Sequence, residues 1–228
     1  CASFWKVIMI KAIILDFASG MIAAKGQDYS ELISEVIKNS NFKTEEEVVA
    51  FYKEELTALE AVSQGENFMT MDEMEDKIIT SAIDNYNLKK DRKQIHTLLQ
   101  NFWMYAPIHD DVKEFFAKCT LPVYILTNHS EDYIHVVTRR NNLHPFGILS
   151  AENVGVSKPS PAFYAKASEM TSYKNEEVLY VSCDLETNVM EANDAGIHAV
   201  LLDRKRLHRD AKCDRIRSLV ELLVNLNQ

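Results

Sequence analysis

Cysteine is scarce in this chain and scattered where it occurs. Cys1, Cys119, Cys183 and Cys213 are the four present in 228 residues, and no two stand in a C-x-x-C pair. That spacing argues against a zinc site. Thiols this sparse in a chain this long fit a reducing compartment, so a cytoplasmic protein is expected. Long hydrophobic runs are also missing. The apolar stretch around Ala12–Leu15 falls far short of the ~20 residues a membrane-spanning helix needs, so no membrane partner is expected. Basic charge is in deficit: 25 Lys+Arg against 34 Asp+Glu give a net charge of −9. A nucleic-acid binder usually presents a basic face, so no nucleic-acid partner is expected either. The one basic cluster, Arg204 to Arg209, is expected to be a solvated loop. Residues 1–8 lack the basic start and apolar centre of a secretory signal. They precede Met9-Ile10-Lys11, which looks like a natural start, and read as an extension or an expression remnant.

What is present is an ordinary globular balance, 46% hydrophobic and 26% charged, in a chain long enough for one full-sized domain or a domain with an insertion. Lys11 to Phe17 is a short apolar run ending in an acid, the pattern of a strand buried on both faces. From about Asp28 to Tyr105 the pattern is helical and contains no proline. Leu32, Ile33, Val36 and Ile37 form one stripe. Thr44 with Glu47, and Thr70 with Glu73, are capping boxes that open the next two helices, and Lys89 to Met104 makes a fourth. From Pro107 onward helices alternate with strands: a helix over 110–118, a strand over 121–127, a helix over 130–141, a strand over 147–150, a helix over 160–171, a strand over 178–182, a helix over 188–195, a strand over 198–203 and a closing helix over 215–226. Such alternation predicts an α/β fold with a doubly wound parallel sheet, Rossmann-like, carrying an inserted α-helical cap. The expected division is residues 9–23 and 106–228 for the core and 24–105 for the cap.

In a parallel sheet, ligands bind beyond the carboxyl ends of the strands. Asp16 ends the first strand, Thr127-Asn128 the second and Ser182-Cys183-Asp184 a later one, with Lys158 in the loop after the Gly147 strand. A carboxylate can serve as a nucleophile, a hydroxyl and an ammonium can neutralise a transferring anionic group, and two carboxylates can hold Mg²⁺.

Four segments in this order resemble the motifs of the haloacid dehalogenase-like hydrolase superfamily: Ile13-Ile14-Leu15-Asp16-Phe17, Tyr124-Ile125-Leu126-Thr127-Asn128, Lys158-Pro159-Ser160-Pro161 with Phe163-Tyr164, and Val181-Ser182-Cys183-Asp184 through Asn188, followed by Ala195-Gly196. The resemblance runs from Met9 to the C-terminus. It implies Asp16 as nucleophile, Lys158 as its stabilising ammonium, Thr127 and Asn128 as binders of phosphate or substrate, and Asp16 with Asp184 as ligands of Mg²⁺. It also implies a cap that selects a small-molecule substrate. The expected function is hydrolysis of a small phosphate ester or a 2-haloacid; the alternative is a degenerate member that binds without turnover.

The sequence departs from that pattern at telling places. Ala18 stands two residues after the nucleophile, where the phosphatases carry an aspartate, and a methyl group transfers no proton. Ser19-Gly20 replaces the usual Gly-Thr. Ungapped, Cys183 and Asn188 occupy the two aspartate positions of the fourth motif, and thiol suits Mg²⁺ poorly. The 2-haloacid dehalogenases also lack the second aspartate and carry a tyrosine where Tyr164 stands, but use a cap arginine, and no arginine precedes Arg92. The phosphonoacetaldehyde hydrolases share alanine at the Ala18 position but need a particular cap lysine, for which Lys38, Lys43 and Lys53 are available. His129 is expected to cap a helix or face solvent, and Tyr52, Phe68, Trp103 and Tyr105 to fill the cap interior.

Overall fold

The structure, a computed structural model, describes residues 9–23 and 26–226; the expected extension over residues 1–8 lies outside them. Strands β1 (Ala12–Asp16), β2 (Val123–Thr127), β3 (Gly147–Ser150), β4 (Val178–Ser182), β5 (His198–Leu202) and β6 (Asp214–Ile216) form one sheet in the order β3-β2-β1-β4-β5-β6, parallel at every pairing. The chain winds outward from β1 through β2 to β3, then crosses to β4 and winds the other way. The switch between β1 and β4 opens a crevice at their carboxyl ends, where Asp16 and Ser182 stand.

Strand residues alternate between two cores. Ile13, Leu15, Val123, Ile125, Leu179, Val181 and Val200 face one side. Ala12, Ile14, Tyr124, Leu126, Val178, Tyr180 and Leu201 face the other. Burial on both faces explains why β1, β2 and β4 are uninterrupted apolar runs. Helices α5 (Asp110–Lys118), α6 (Glu131–Asn141) and α10 (Leu219–Leu226) contribute to the first core. The second is covered by α8 (Pro161–Thr171) and α9 (Glu191–Asp194), with Ala151 of the short α7 (Ala151–Val154).

Between β1 and α5 the chain forms α1 (Gln27–Lys38), α2 (Glu45–Val62), α3 (Met71–Tyr86) and α4 (Arg92–Tyr105). Thr70 and Glu73 make the full reciprocal capping box at α3, and the Thr44 hydroxyl accepts from Glu47 N–H at α2. The entering and leaving segments run side by side: Ile22 and Ile108 form an antiparallel bridge, Ala23 N–H donates to Pro107 O at 2.9 Å, and His109 N–H to Met21 O at 2.9 Å. The apolar interior of the four helices, including Leu32, Val36, Ile79 and Ile95, is continuous with the first core of the sheet.

Three expectations need correction. The span expected as one helix from Arg215 holds β6 and then α10. The segment over 188–195 is split into a π-helical stretch (Leu185–Met190) and α9. Arg204 is no solvated loop residue: its guanidinium pairs with Asp111 at 2.8 Å and donates to Gly20 O at 2.9 Å, with its side chain only 15% exposed.

Candidate active site

Asp16 is fully buried at the end of β1. Its chain continues into a turn in which Ser19 N–H and Ser19 Oγ–H both donate to Asp16 Oδ1, each at 2.8 Å. Gly20 makes that turn possible: a Cβ there would lie 2.3 Å from Asp16 O and 2.9 Å from Leu15 Cδ1. The other carboxylate oxygen, Oδ2, accepts from Lys158 Nζ and from Tyr180 OH at 3.1 Å. Burial works to raise the Asp16 carboxyl, and the Lys158 ammonium and the Ser19 donors outweigh it, holding the group below the usual carboxylate range.

Each hydroxyl has one proton to give, so the hydrogen bonds behind Ser19 have a fixed direction. Ser19 Oγ–H goes to Asp16. Ser182 Oγ–H therefore goes to Ser19 Oγ (2.8 Å), and Ser182 Oγ in turn accepts from Asn188 Nδ2 at 2.9 Å. The chain Asn188 to Ser182 to Ser19 to Asp16 points its donors at the carboxylate, which favours the anion. Asn128 holds the other half of the pair: its Oδ1 accepts from Lys158 N–H at 2.9 Å and its Nδ2 donates to Lys158 O at 3.2 Å. That clamp sets the direction of the lysine side chain. Thr127 is 1% exposed, and its Oγ1 accepts from His129 N–H at 3.0 Å.

Asp16, Lys158, Thr127 and Asn128 are thus gathered at one edge of the sheet. Asp184 is not among the hydrogen-bond partners of the Asp16 carboxylate within the described residues. It joins the network through its N–H on Ser182 Oγ (3.1 Å), while its Oδ1 accepts from Thr187 N–H at 2.9 Å, capping the π-helical stretch. The arrangement is a poor fit for Mg²⁺, which needs several free hard oxygens. Both Asp16 oxygens already carry donors, Asn188 Oδ1 accepts from Tyr164 OH at 3.4 Å, and Cys183 offers sulfur, engaged by Arg204 at 3.5 Å. Burial pushes the Cys183 thiol up to about 11, so it is no reactive thiolate.

His129 departs from its expected place at a surface. It is 3% exposed, lies 4.0 Å from Trp103 ring to ring, and packs edge-on to Phe17. Desolvation, reinforced by the Lys158 charge, lowers it to about 3, so it is neutral. The sequence reading gave no role to Ser19, Tyr180, Ser182 or Glu60. Ser19 and Ser182 had a visible signal in their places beside the motif residues. Tyr180 is two residues short of its strand end, and Glu60 lies on a helix of the insertion, reaching Asn128 Nδ2 at 3.2 Å.

Above the site lies a cavity of about 470 Å³, lined at its floor by Ala18, Ser19 and Asp184 and elsewhere mostly by apolar side chains of α1 to α4, among them Phe51, Leu56 and Trp103. A wider groove of about 780 Å³ lies at the opposite end of the sheet, around Leu121–Tyr124 and His144–Phe146, remote from these groups.

A parallel sheet switching at β1/β4, a buried Asp–Lys pair at the switch and helices inserted after β1 define an α/β protein of the haloacid dehalogenase-like fold. Structures of known proteins agree. The L-2-haloacid dehalogenase of Xanthobacter autotrophicus superposes with a TM-score of 0.79 at 15% identity, covering 96% of this chain and 99% of that one. A dehalogenase solved with an intermediate complex gives 0.77 at 18% identity, covering 97% and 99%. A magnesium-bound HAD-hydrolase of Bacillus subtilis, YfnB, gives 0.72 at 17%, covering 96% and 99%. In sequence, a glyceraldehyde 3-phosphate phosphatase of Methanopyrus kandleri is 28% identical over 99 residues, which span 38% of this chain and 42% of that relative. No family model matches the chain. No described helix is long and apolar enough to cross a membrane.

Proposed function

We propose that the protein is a hydrolase of small molecules that uses Asp16 as a nucleophile and displaces a leaving group needing no proton, as a 2-haloacid does. The observation that carries this reading is the buried Asp16–Lys158 pair, two residues from Ala18, which with Ser19, the donor to Asp16, lines an apolar cavity. A halide departs with its electron pair unassisted. An alkoxide departing from a phosphate ester needs an acid, and removing such an acid typically costs ~10²–10⁴-fold.

In the first step an Asp16 oxygen attacks the substrate carbon, the carbon–halogen bond breaks, and an ester forms between Asp16 and the substrate. In the second, water adds to the ester carbonyl. Negative charge then builds on the remaining Asp16 oxygen, where the Ser19 N–H and Oγ–H or the Lys158 ammonium already point; preorganised donors of this kind stabilise the transition state. We assign one of the water's protons to Asp184, the carboxylate on the cavity floor, which passes it to the departing alkoxide as the intermediate collapses and a 2-hydroxy acid is released. The water's other proton leaves Asp16 to solvent, which returns the carboxylate. Neither step needs a metal. A second reading, hydrolysis of a small phosphate ester, draws on the partial likeness to the Methanopyrus kandleri phosphatase.

The test is a turnover screen of 2-haloacids with short and long side chains and of phosphate esters, with and without Mg²⁺, using Asp16→Asn as the blank. The expected result is metal-independent halide release, better with apolar side chains. Phosphate release that requires Mg²⁺ would favour the second reading. A chain inert to every substrate, with Asp16→Asn identical to it, would sink the hydrolase reading and leave a binding protein.

A further inference from the structure

Helices α3 and α4 bring Asp72, Glu75 and His96 together, with one ligand atom of each lying within 4.8 Å of the others. None of the three belongs to the Asp16–Lys158 site. Glu75 is fully buried, an unusual place for a carboxylate without a cation. Tyr52 OH (3.0 Å) and Trp103 Nε1–H (2.8 Å) both donate to its Oε1. Among the described residues its Oε2 has no hydrogen-bond partner, and neither does His96 Nε2, although both atoms are buried. A missing partner at one buried polar atom calls for an explanation. Here two such atoms, one an imidazole nitrogen and one a carboxylate oxygen, belong to the same three-residue cluster, with Asp72 Oδ2 4.0 Å from His96 Nε2.

We propose that Asp72, Glu75 and His96 form a binding site in the helical insertion for a first-row divalent transition cation, with Zn²⁺ as its representative. One imidazole and two carboxylates are borderline-to-hard donors that suit Zn²⁺, whereas Mg²⁺ avoids imidazole. Ligand atoms around a tetrahedral Zn²⁺ at ~2.0–2.1 Å from the metal stand about 3.4 Å apart, so modest side-chain rotations close the present arrangement onto an ion. The fourth position is left for water.

The surroundings resemble a second shell that orients metal ligands. Asp76 Oδ1 lies 3.9 Å from His96 Nδ1, beyond hydrogen-bond distance but near enough for a side-chain rotation to bring it onto the ring's other nitrogen. Tyr133 OH, from α6 across the fold, lies 2.8 and 2.9 Å from the two Asp72 oxygens, and Gln100 Nε2 donates to Oδ2 at 3.1 Å. Tyr52 and Trp103 hold the Glu75 oxygen that faces away from the ion. Trp103 also packs against His129, beside Thr127. A cation here would therefore tie α3, α4 and α6 together next to the Asp16 pocket.

The experiment uses the full chain, stripped with chelator and titrated with Zn²⁺ by calorimetry. Co²⁺ absorption serves as the probe of ligand type, and Trp103 fluorescence as the local reporter. One equivalent should bind, Trp103 emission should change in step, and Zn²⁺ but not Mg²⁺ should raise the melting temperature. Removing an outer-shell partner costs ~10–100-fold in affinity. Asp76→Asn should fall in that range, and His96→Ala and Glu75→Gln should lose more. Glu75→Gln keeps the volume and an acceptor for Tyr52 and Trp103, and circular dichroism confirms its fold, so lost binding there cannot be put down to collapse. Absence of stoichiometric Zn²⁺ binding, or binding that survives both His96→Ala and Glu75→Gln, overturns the proposal.

Discussion

Asp16 and Glu75 are both carboxylates with no exposed surface, yet they carry opposite charge states at neutral pH. Asp16 receives four donors shared over both oxygens, one of them the Lys158 ammonium. Glu75 receives two neutral donors on one oxygen and none on the other. Burial penalises both anions alike. The difference lies in the partner charge: an adjacent ammonium compensates for lost hydration, and two neutral hydrogen bonds do not. The chain therefore keeps one buried carboxylate charged and the other protonated at neutral pH.

The largest expected effect comes from removing the charged member. Asp16→Asn takes away the proposed nucleophile, and loss of a nucleophile in comparable covalent enzymes costs more than ~10⁴-fold in turnover. It also strands the buried Lys158 ammonium, a change worth about 3–5 kcal/mol in stability. Steady-state assays and denaturant melts measure the two losses separately. Turnover by Asp16→Asn within tenfold of the parent would break the assignment.

The neutral member is tested next, through pH. The Glu75 proton is held more tightly in the folded chain, about 8 against an ordinary 4.5. Its stabilising contribution is therefore complete below pH ~4.5 and is lost as pH rises toward 8. The span is worth roughly 4–5 kcal/mol at 1.36 kcal/mol per unit. Measured in chelator, the parent should lose stability between pH 5 and 8, and Glu75→Gln should show a flatter slope. Equal slopes would mean that Glu75 is already ionised, removing the contrast with Asp16.

How far this contrast could be read from sequence follows from how local its causes are. Asp16, Thr127, Asn128 and Lys158 sit at the ends of strands or in the loop beyond one, within short motifs, so parallel-sheet topology alone gathers them. The helix caps at Thr44 and Thr70 are likewise local, and they set the starts of α2 and α3 within one residue. The Asp16 donors Ser19 and Tyr180 depend on which way a turn and a strand face. Glu75 depends on the packing of α2, α3 and α4, since its partners Tyr52 and Trp103 come from different helices. The edge strand β6 is three residues long, Asp-Arg-Ile, with two charged members. It has no alternation to reveal it, and pairing with β5 alone makes it a strand.

Ala18→Asp probes what the charged site lacks. The new carboxylate would stand on the cavity floor beside Ser19 and could protonate a leaving oxygen. Hydrolysis of alkyl phosphates should rise by at most ~10²-fold, and that of aryl phosphates by less, because better leaving groups need less help. A brisk parent activity on alkyl phosphates would show that another group already supplies the proton.

The smallest effect separates the ammonium from the neutral donors at Asp16 itself. Tyr180→Phe deletes the hydrogen bond to Oδ2, with Lys158 on the same oxygen and Ser19 on Oδ1 untouched. A hydrogen bond to a charged group contributes ~1.5–3 kcal/mol. The loss should fall at the low end, because three donors remain and the phenol becomes an apolar ring in an apolar setting, packed edge-on to Tyr164. With the ammonium still in place Asp16 stays ionised. Its folded-state value is held below the ordinary 3.8, so its stabilising contribution is present above that pH and is lost only as pH falls through the lower folded value. The acid limb of the stability curve should therefore shift upward by about one unit at most in Tyr180→Phe, and the stability loss should be constant above pH 5. A stability loss that grows between pH 5 and 8 would mean that the tyrosine, and not the lysine, keeps Asp16 charged, and the comparison with Glu75 would have to be redrawn around neutral donors.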